Sequence, residues 1–207
     1  MSRLLLFSFL LIILISAVYT LQLYLDDNII DQKSEIKSIE KEETSIVEPV
    51  KDFKARITKK PFGILITPET SPIQPERFSG YHTGVDVEYG DVKDDVVVLA
   101  VADGLVKYSG WVVGYGGVIA IRHQINNKEY LAVYGHLNPA TLITKGKVIK
   151  GEQIGILGQE NSTETDNERK HLHFALYIGK DLNLKGYVEV QNQLSDWINP
   201  MIIFFSK

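Results

Sequence analysis

Two histidines separated by one residue, His171 and His173, begin the last long β-branched and aromatic run of the sequence. Because side chains alternate along a strand, both imidazoles should project from one face together with Ala175 and Tyr177, while the intervening apolar residues form a core face. Two adjacent imidazoles suit a metal ligand beside a catalytic group. The alternative is a pair of polar side chains on an exposed face.

A second pair, His82 and Asp86, offers a nitrogen and a carboxylate four residues apart. In a straight strand their Cα atoms would be about 13 Å apart, too far to share an ion with bonds of about 2 Å. Gly84 lies between them and makes a bend inexpensive. We therefore predict that the backbone turns at Gly84 and brings the two side chains together. The alternative is a loop histidine and an unrelated aspartate at a strand end.

Two further histidines end predicted strands. His136 follows Gly135 at the point where a loop should begin, which is a common location for catalytic groups. A histidine at the end of a hairpin that only contacts solvent is the alternative. His123 ends the partner strand and has no chemical neighbours in the sequence, so we predict a structural role for it.

The histidines and the aspartate together, in a chain without cysteine, limit the kinds of catalytic site that are possible. Two histidines and one aspartate, with water in the fourth position, are typical of a catalytic zinc site, and two histidines would remain for proton transfer. The chain has no cysteine, which excludes disulfides, thiolate metal sites, a cysteine nucleophile and a lipid-modified cysteine. The segment Gly114-Tyr115-Gly116 lacks the third glycine of a dinucleotide-binding loop. No Gly-x-Ser-x-Gly motif occurs in the sequence.

The elements that must hold these residues are predicted to be short strands. Apolar runs lie at 96–101, 105–108, 118–123, 130–136, 154–157 and 171–178. Ala102-Asp103-Gly104 and Asn126-Asn127 separate consecutive runs and predict two hairpins. Only Ser195 to Ile203 indicates a helical turn, which Pro200 should limit. We expect one all-β domain built mainly of antiparallel sheet, from Pro61 to Lys207.

The amino-terminal part differs in composition. Leu4 to Leu25 has no charged residue and is long enough to cross a bilayer as a helix. We interpret it as a transmembrane anchor rather than a cleaved signal peptide, because Ser16 to Tyr19 offers no good cleavage site. Secretion after cleavage is the alternative.

The next segment, Asp26 to Lys60, carries 9 acidic and 8 basic residues and is predicted to be a charged linker. Ile29, Ile36 and Ile39 could form one apolar stripe of a short helix. From Pro61 onward there are 17 acidic and 13 basic residues. This acidic balance argues against nucleic-acid binding.

Four motifs occur in a specific order: His82-x-x-x-Asp86, Ala100 to Gly104, Tyr134-Gly135-His136-Leu137 and His171-Leu172-His173-Phe174. With them, the stretch from Pro61 to Phe205 resembles the lysostaphin-type (LytM, M23) metallopeptidase domain of bacterial cell-wall hydrolases. Gly151 to Gly155 is similar to the Gly-Gln-x-Ile-Gly hairpin of that family.

The resemblance implies a role for each of five residues. His82, Asp86 and His173 would bind Zn²⁺, and His136 and His171 would form the catalytic pair. It implies a zinc endopeptidase that acts on peptidoglycan cross-links or bridges, on the outer side of the cytoplasmic membrane. The alternative is a catalytically silent or autoinhibited relative that activates another hydrolase, with a regulatory protein partner that the sequence does not identify.

The sequence also departs from the family at two places. Asn161 to Lys170 is polar and charged where members often have a small Ser/Thr-Gly stretch, so a different loop should lie near the groove. Ala175 stands where many members have Glu. A contact that this carboxylate makes in other members would then be missing here.

Overall fold

The computed structural model describes residues 15–33 and 46–205, which belong to two compact units, 1–43 and 44–207. In the first unit, residues 15–33 are helical (α1). No helix of the described residues is both long and apolar enough to span a membrane. Residues 4–14 of the predicted anchor, and Ile36 and Ile39 of the linker stripe, lie outside the described residues.

The second unit is built from short strands, as predicted. Their bounds are β1 Leu65–Ile66, β2 Gly80–His82, β3 Gly84–Glu88, β4 Val97–Leu99, β5 Gly104–Val112, β6 Gly116–Ile125, β7 Lys128–Leu137, β8 Lys147–Val148, β9 Gln153–Ile156, β10 His171–Tyr177, β11 Tyr187–Val188 and β12 Trp197–Ile198. Short 3-10 helices occur at Pro139–Thr141 and Gln191–Asp196.

The strands of this unit form three sheets with antiparallel pairing. The main sheet has the order β12-β10-β7-β6-β5-β8, and β3 pairs with β10 beside β12. The smaller sheets are β1-β2-β11 and β4-β9. The core side of the main sheet carries buried aliphatic and aromatic residues such as Ile119, Tyr134 and Phe174. The all-β, mainly antiparallel fold predicted from the sequence is confirmed.

One predicted hairpin is confirmed and the other is wrong. β6 and β7 pair directly through a turn at Asn126 and Asn127, both with positive φ (50° and 61°), as a two-residue hairpin requires. In contrast, β4 and β5, on either side of Ala102-Asp103-Gly104, do not pair with each other. β4 pairs with β9, whereas β5 pairs with β6 and β8. The turn residues permit a reversal of the chain. The strands on either side of the turn nevertheless bury their apolar residues by pairing with other strands.

The chain changes sheets between His82 and Gly84. β2 pairs with β1 and β11, and β3 pairs with β10. The break lies at Thr83, whose N–H and hydroxyl donate to the carbonyls of Gly186 (3.0 Å) and Lys185 (2.7 Å). Gly84 is needed for another reason than the one predicted. A Cβ there would lie 2.5 Å from the carbonyl oxygen of Phe174, so Gly84 permits the close approach of β10.

The folded unit begins before Pro61, where the sequence analysis placed its start. Val50 and Phe53 are buried, with exposed fractions of 2 % and 0 %, and both belong to the main core. Farther along, the carbonyl of Lys60 accepts a hydrogen bond of 3.0 Å from the N–H of Asp86. The many charges of this segment suggested a solvated linker, but Ile46, Val50, Phe53 and Ile57, near its carboxyl-terminal end, belong to the core or pack against it.

The carboxyl-terminal helix α2, Pro200–Phe205, begins at its proline. Proline is favourable in the first turn of a helix, because the N–H that it lacks would have no partner there. Pro200 therefore starts the helix and does not limit it. Phe204 packs against Phe174 and Phe53, with ring centroids 6.2 Å and 5.0 Å apart.

Candidate active site

The side chains of His82, Asp86 and His173 converge where β2, β3 and β10 meet. His82 Nε2 lies 3.0 Å from His173 Nδ1, and Asp86 Oδ1 lies 3.2 Å from each of these two nitrogens. All three residues are buried. The predicted proximity of His82 and Asp86 is thus observed, and the pairing of β10 with β3 sets His173 opposite Asp86.

The three atoms suit a metal ion better than mutual hydrogen bonds. His82 Nδ1 donates to the carbonyl of Pro61 at 3.2 Å, so Nε2 of His82 carries a lone pair. This lone pair, the carboxylate oxygen and His173 Nδ1 face one another, and one proton on His173 Nδ1 would serve only one of the contacts. Tetrahedral zinc with bonds of about 2.0–2.1 Å separates its ligand atoms by about 3.3 Å. The donor set therefore fits a zinc ion with one position open to water or substrate.

The other two predicted residues, His136 and His171, lie side by side. Their ring centroids are 4.1 Å apart, and His171 Nε2 lies 3.5 Å from Asp86 Oδ2. His171 Nδ1 donates to the carbonyl of Arg169 at 2.9 Å, and His136 Nδ1 faces the carbonyl of Thr165 at 3.4 Å. In each ring the proton therefore lies on Nδ1 and is donated to a backbone carbonyl, and Nε2 keeps its lone pair.

The segment 159–169 therefore orients both histidines of this pair. Its Glu164 side chain accepts from Asn138 Nδ2 and from the N–H of Gln159, both at 2.8 Å. Trp111 Nε1 donates to the carbonyl of Thr163 at 2.8 Å. The polar and charged composition of 161–170 predicts an unusual loop but not its positioning role. That role depends on backbone carbonyl groups, which leave no side-chain pattern in the sequence.

Burial and charge set the protonation states of the site. Burial alone would raise the pKa of Asp86, but the neighbouring histidines and Arg169 hold that pKa well below its usual range. Burial lowers the pKa of His136 to about 3 and the pKa of His171 well below its usual value. An anionic carboxylate and neutral imidazoles are the forms that ligate metals and accept protons.

Arg169 is a further site residue that the sequence analysis missed. Its Nη2 donates to Asp86 Oδ2 at 2.7 Å, and its Nε and Nη2 donate to the carboxylate of Glu88 at 2.8–3.1 Å. The pairing holds Oδ2 of Asp86 and leaves Oδ1 to face the two ligand nitrogens. Only its position two residues before His171 could have drawn attention to Arg169.

The backbone of His136 is in the left-handed region, with φ of 64°. Non-glycine residues in this region are strained, and such strain concentrates at functional sites. Across the strand pair, the β6–β7 register shifts between Gly117 and Val118, which face Leu137 and Gly135. The irregularity aims the His136 ring at His171.

A cavity of about 280 Å³ lies directly over the cluster. Asp86 and three of the site histidines line it from one side. Its other walls are mainly apolar or aromatic and include Phe78, Val112, Leu184 and Tyr187. The other two histidines, His82 and His123, do not line the cavity. Lys60, Glu168, Arg169 and Lys185 also line it, so the cleft over the polar cluster has apolar walls with a few charged side chains.

His123 has the structural role that the sequence predicted. Its Nδ1 donates to the carbonyl of Asp103 at 3.1 Å, and its Nε2 accepts from the Tyr134 hydroxyl at 2.9 Å. The ring is fully buried. It links β6 to β7 and to the turn before β5.

Comparison with known proteins gives a family and several structural neighbours. The sequence model of peptidase family M23 matches residues 80–184, which include all five predicted site residues. The chain matches no curated protein sequence.

Among solved structures, Helicobacter pylori Csd3 is 29% identical over 70% of this chain and 35% of its own, with a TM-score of 0.43. This chain thus corresponds to about a third of that protein. The catalytic domain of the antimicrobial peptidase lysostaphin from Staphylococcus simulans is 22% identical over 70% and 90% of the two chains, with a TM-score of 0.48. A chain of the SpoIIQ–SpoIIIAH pore-forming complex is 16% identical over 78% and 91%, with a TM-score of 0.49.

Proposed function

The chain belongs to peptidase family M23, and we propose that it is a zinc-dependent endopeptidase that hydrolyses peptide bonds in the cross-links or bridges of peptidoglycan. The observation that carries this proposal is the convergence of three ligand atoms beside a second pair of imidazoles. A structural metal site needs only the ligands. The neighbouring pair of neutral bases under an open cleft supports catalysis.

His82, Asp86 and His173 would hold the ion, through the atoms that already face one another. Zinc bound there supplies a Lewis acid, which lowers the pKa of a water molecule to about 7 and polarises the scissile carbonyl. One carboxylate and two neutral imidazoles leave a net positive charge in the site, which favours a developing oxyanion.

His136 and His171 would handle the proton. Because their Nδ1–H groups are held by the carbonyls of Thr165 and Arg169, proton transfer must occur at Nε2 of each ring. One imidazole accepts the proton of the attacking water and can pass it to the leaving amine. The other contacts the oxyanion of the tetrahedral intermediate.

We also propose that the domain works outside the cytoplasmic membrane and that residues 4–25 anchor it there as a single span. The proposed substrate supports this orientation, since the cell wall lies on that side. A cleaved signal peptide in the same segment would give the same side without an anchor.

The test is incubation of the full zinc-loaded chain, in a mild detergent, with purified peptidoglycan, followed by mass spectrometry of the released fragments. A chelator and the His136→Ala variant serve as controls. New peptide fragments that disappear in both controls are expected, and their masses identify the bond. If the chain binds one zinc ion but releases no fragments, the endopeptidase proposal is wrong and a regulatory role becomes the better explanation.

A further inference from the structure

Tyr115 lies between two of the site histidines, yet its hydroxyl has no hydrogen-bond partner. Its ring centroid is 5.5 Å from that of His136 and 5.3 Å from that of His173. Its Oη is fully buried. A buried hydroxyl without a partner is destabilising, because the hydrogen bonds that it makes to water in the unfolded chain are not replaced. Phenylalanine would fill the same space without this cost, so the hydroxyl requires an explanation.

The surrounding backbone is shaped to admit this side chain. A Cβ at Gly135 would lie 2.3 Å from Tyr115 Cδ1, and a Cβ at Gly186 would lie 2.8 Å from Tyr115 Oη. Two separate segments therefore carry glycine where the ring and the hydroxyl pass. Tyr115 itself follows Gly114 and precedes Gly116, which have φ of 89° and 68°.

A second buried atom without a partner lies close by. Among the described residues, the buried side-chain nitrogen and oxygen atoms without a hydrogen-bond partner are Tyr115 Oη and His173 Nε2. Both side chains approach Gly186: a Cβ there would lie 2.8 Å from Tyr115 Oη and 3.8 Å from His173 Cε1, the ring carbon between the two nitrogens. The hydroxyl oxygen can accept a hydrogen bond and a protonated ring nitrogen can donate one, so each atom can serve as the partner of the other.

The chemistry of the proposed ligand makes the pairing specific. If His173 Nδ1 binds the metal through its lone pair, the ring proton must lie on Nε2. Metal-ligating histidines almost always donate this second N–H to a carboxylate, a carbonyl or a water molecule. The other ring nitrogens that face away from reacting groups, Nδ1 of His82, of His136 and of His171, already donate to backbone carbonyls.

We propose that the hydroxyl of Tyr115 is the outer partner of His173 and accepts a direct hydrogen bond from the Nε2–H of this ligand when the metal is bound. The inference rests on the zinc site proposed above. Tyr115 is then a positioning residue that fixes the tautomer and the ring orientation of His173. Since neither atom has more than 1 Å² of accessible surface, the partner of the Nε2–H must be a protein group and not a water molecule.

The burial of Tyr115 favours this role over direct contact with substrate. Tyr115 lines the cleft, but its Oη has less than 1 Å² of accessible surface, so a peptide in the cleft cannot reach this atom without rearrangement. Burial also raises the pKa of the hydroxyl far above its usual value, so the hydroxyl stays protonated at neutral pH. It remains a neutral group that can accept one hydrogen bond and donate another.

The first experiment compares zinc affinities by competition with a chelator of known affinity, using the full chain. Tyr115→Phe keeps the ring and removes only the hydroxyl. We expect its zinc affinity to fall about 10–100-fold. Tyr108→Phe is the matched control, since Tyr108 Oη donates only to the carbonyl of Trp111, at 3.3 Å on the surface. Its affinity should equal that of the wild type.

The outcomes separate this inference from the proposed function. If the wild-type chain binds no zinc, the proposed metal site is wrong and the role of Tyr115 fails with it. If wild type and Tyr115→Phe bind zinc equally well, only the role of Tyr115 is wrong. Thermal unfolding of each metal-free variant verifies that it is folded.

A second measurement does not depend on a variant. Nitrogen NMR of the zinc-loaded wild type, with labelled histidine, reports which ring nitrogen of His173 carries the proton. We expect a proton on Nε2 that exchanges slowly with solvent. A proton on Nδ1, or rapid exchange of the Nε2 proton, would overturn the inference.

Discussion

Arg169 contacts both the proposed metal ligands and the proposed proton-transfer pair, through its guanidinium and its carbonyl group. Its guanidinium pairs with Asp86, and its carbonyl holds the Nδ1 proton of His171. The side chain is 14 % exposed and that of Asp86 is 3 % exposed. Replacement of Arg169 by alanine leaves a buried carboxylate without its strongest cation, so we expect the metal-free chain to lose about 3 kcal/mol of unfolding free energy. Urea denaturation with a chelator present measures this loss.

Arg77→Ala is the matched control for that prediction. Arg77 also pairs with two carboxylates, Asp166 and Glu168, but its side chain is 45 % exposed. Exposed ion pairs contribute about 0–1 kcal/mol. Equal losses in the two variants would show that the burial of Arg169 does not strengthen its pairing.

His123 makes the stability depend on pH. Burial lowers its pKa from 6.5 to about 4 in the folded chain. Between these values the unfolded chain binds a proton that the folded chain does not, so stability is lost as the pH falls. We expect the wild type to lose about 2 kcal/mol more than His123→Gln between about pH 7 and 5. Denaturant unfolding of both metal-free proteins at the two pH values measures the difference, and parallel losses would contradict the prediction.

Strand β10 is the element on which the site depends. It carries His171 and His173, and its pairing with β3 places His173 opposite Asp86. On its other edge it pairs with β7, where His173 faces Gly135, the residue before His136. A shift of one residue in either register would turn the imidazoles to the core face, since successive side chains alternate.

The segment before Pro61 is an integral part of the domain. Phe53 is fully buried and packs edge-on against Phe174, with centroids 5.8 Å apart. We expect Phe53→Ala to lower the free energy of unfolding by about 3–5 kcal/mol, because it leaves a cavity under β10. Ile149→Ala, at a site that is 66 % exposed, is the control and should change stability by less than about 0.5 kcal/mol. Urea unfolding decides, and a small loss at Phe53 would indicate a dispensable segment.

At the scale of the whole molecule, the proposed ligands should couple metal binding to stability. Zinc at about 100 times its dissociation constant contributes about 2.7 kcal/mol to the folded state. For a domain of this size that corresponds to a rise in melting temperature of about 5–10 °C. Calorimetry with and without zinc measures the shift. His82→Ala should remove it, and the same shift in this variant would locate the metal elsewhere.

The proposed location also belongs to the whole molecule. If residues 4–25 anchor the chain with its domain outside, a reporter fused after Lys207 should be active on the outer side of the membrane. Alkaline phosphatase, which folds only there, is a suitable reporter, and a fusion to residues 1–3 alone is the negative control. A reporter retained in the cytoplasm would contradict both the orientation and the access to peptidoglycan.

Much of the site could be predicted from local sequence. The spacing of His171 and His173 specifies one strand face, because side chains alternate along a strand. The pair Asn126-Asn127 specifies a two-residue turn, since both residues tolerate positive φ. The set of histidine and aspartate, without any cysteine, indicates nitrogen and oxygen donors for a possible metal ion. Each of these depends on a few neighbouring residues, whose conformations and chemistry are set before the chain is packed.

Strand pairing and contacts between residues far apart in the chain could be established only from the tertiary structure. The runs on either side of Ala102-Asp103-Gly104 satisfy every local rule for a hairpin, yet they pair elsewhere because strand pairing follows the burial of whole sheets. Arg169 and Tyr115 reach the site through contacts with residues far away in the chain, and no spacing marks them. The sequence by itself thus determined which groups could do the chemistry. The packing of β3 against β10 determined which atoms meet, because a hydrogen-bonded register fixes positions to within a fraction of a residue.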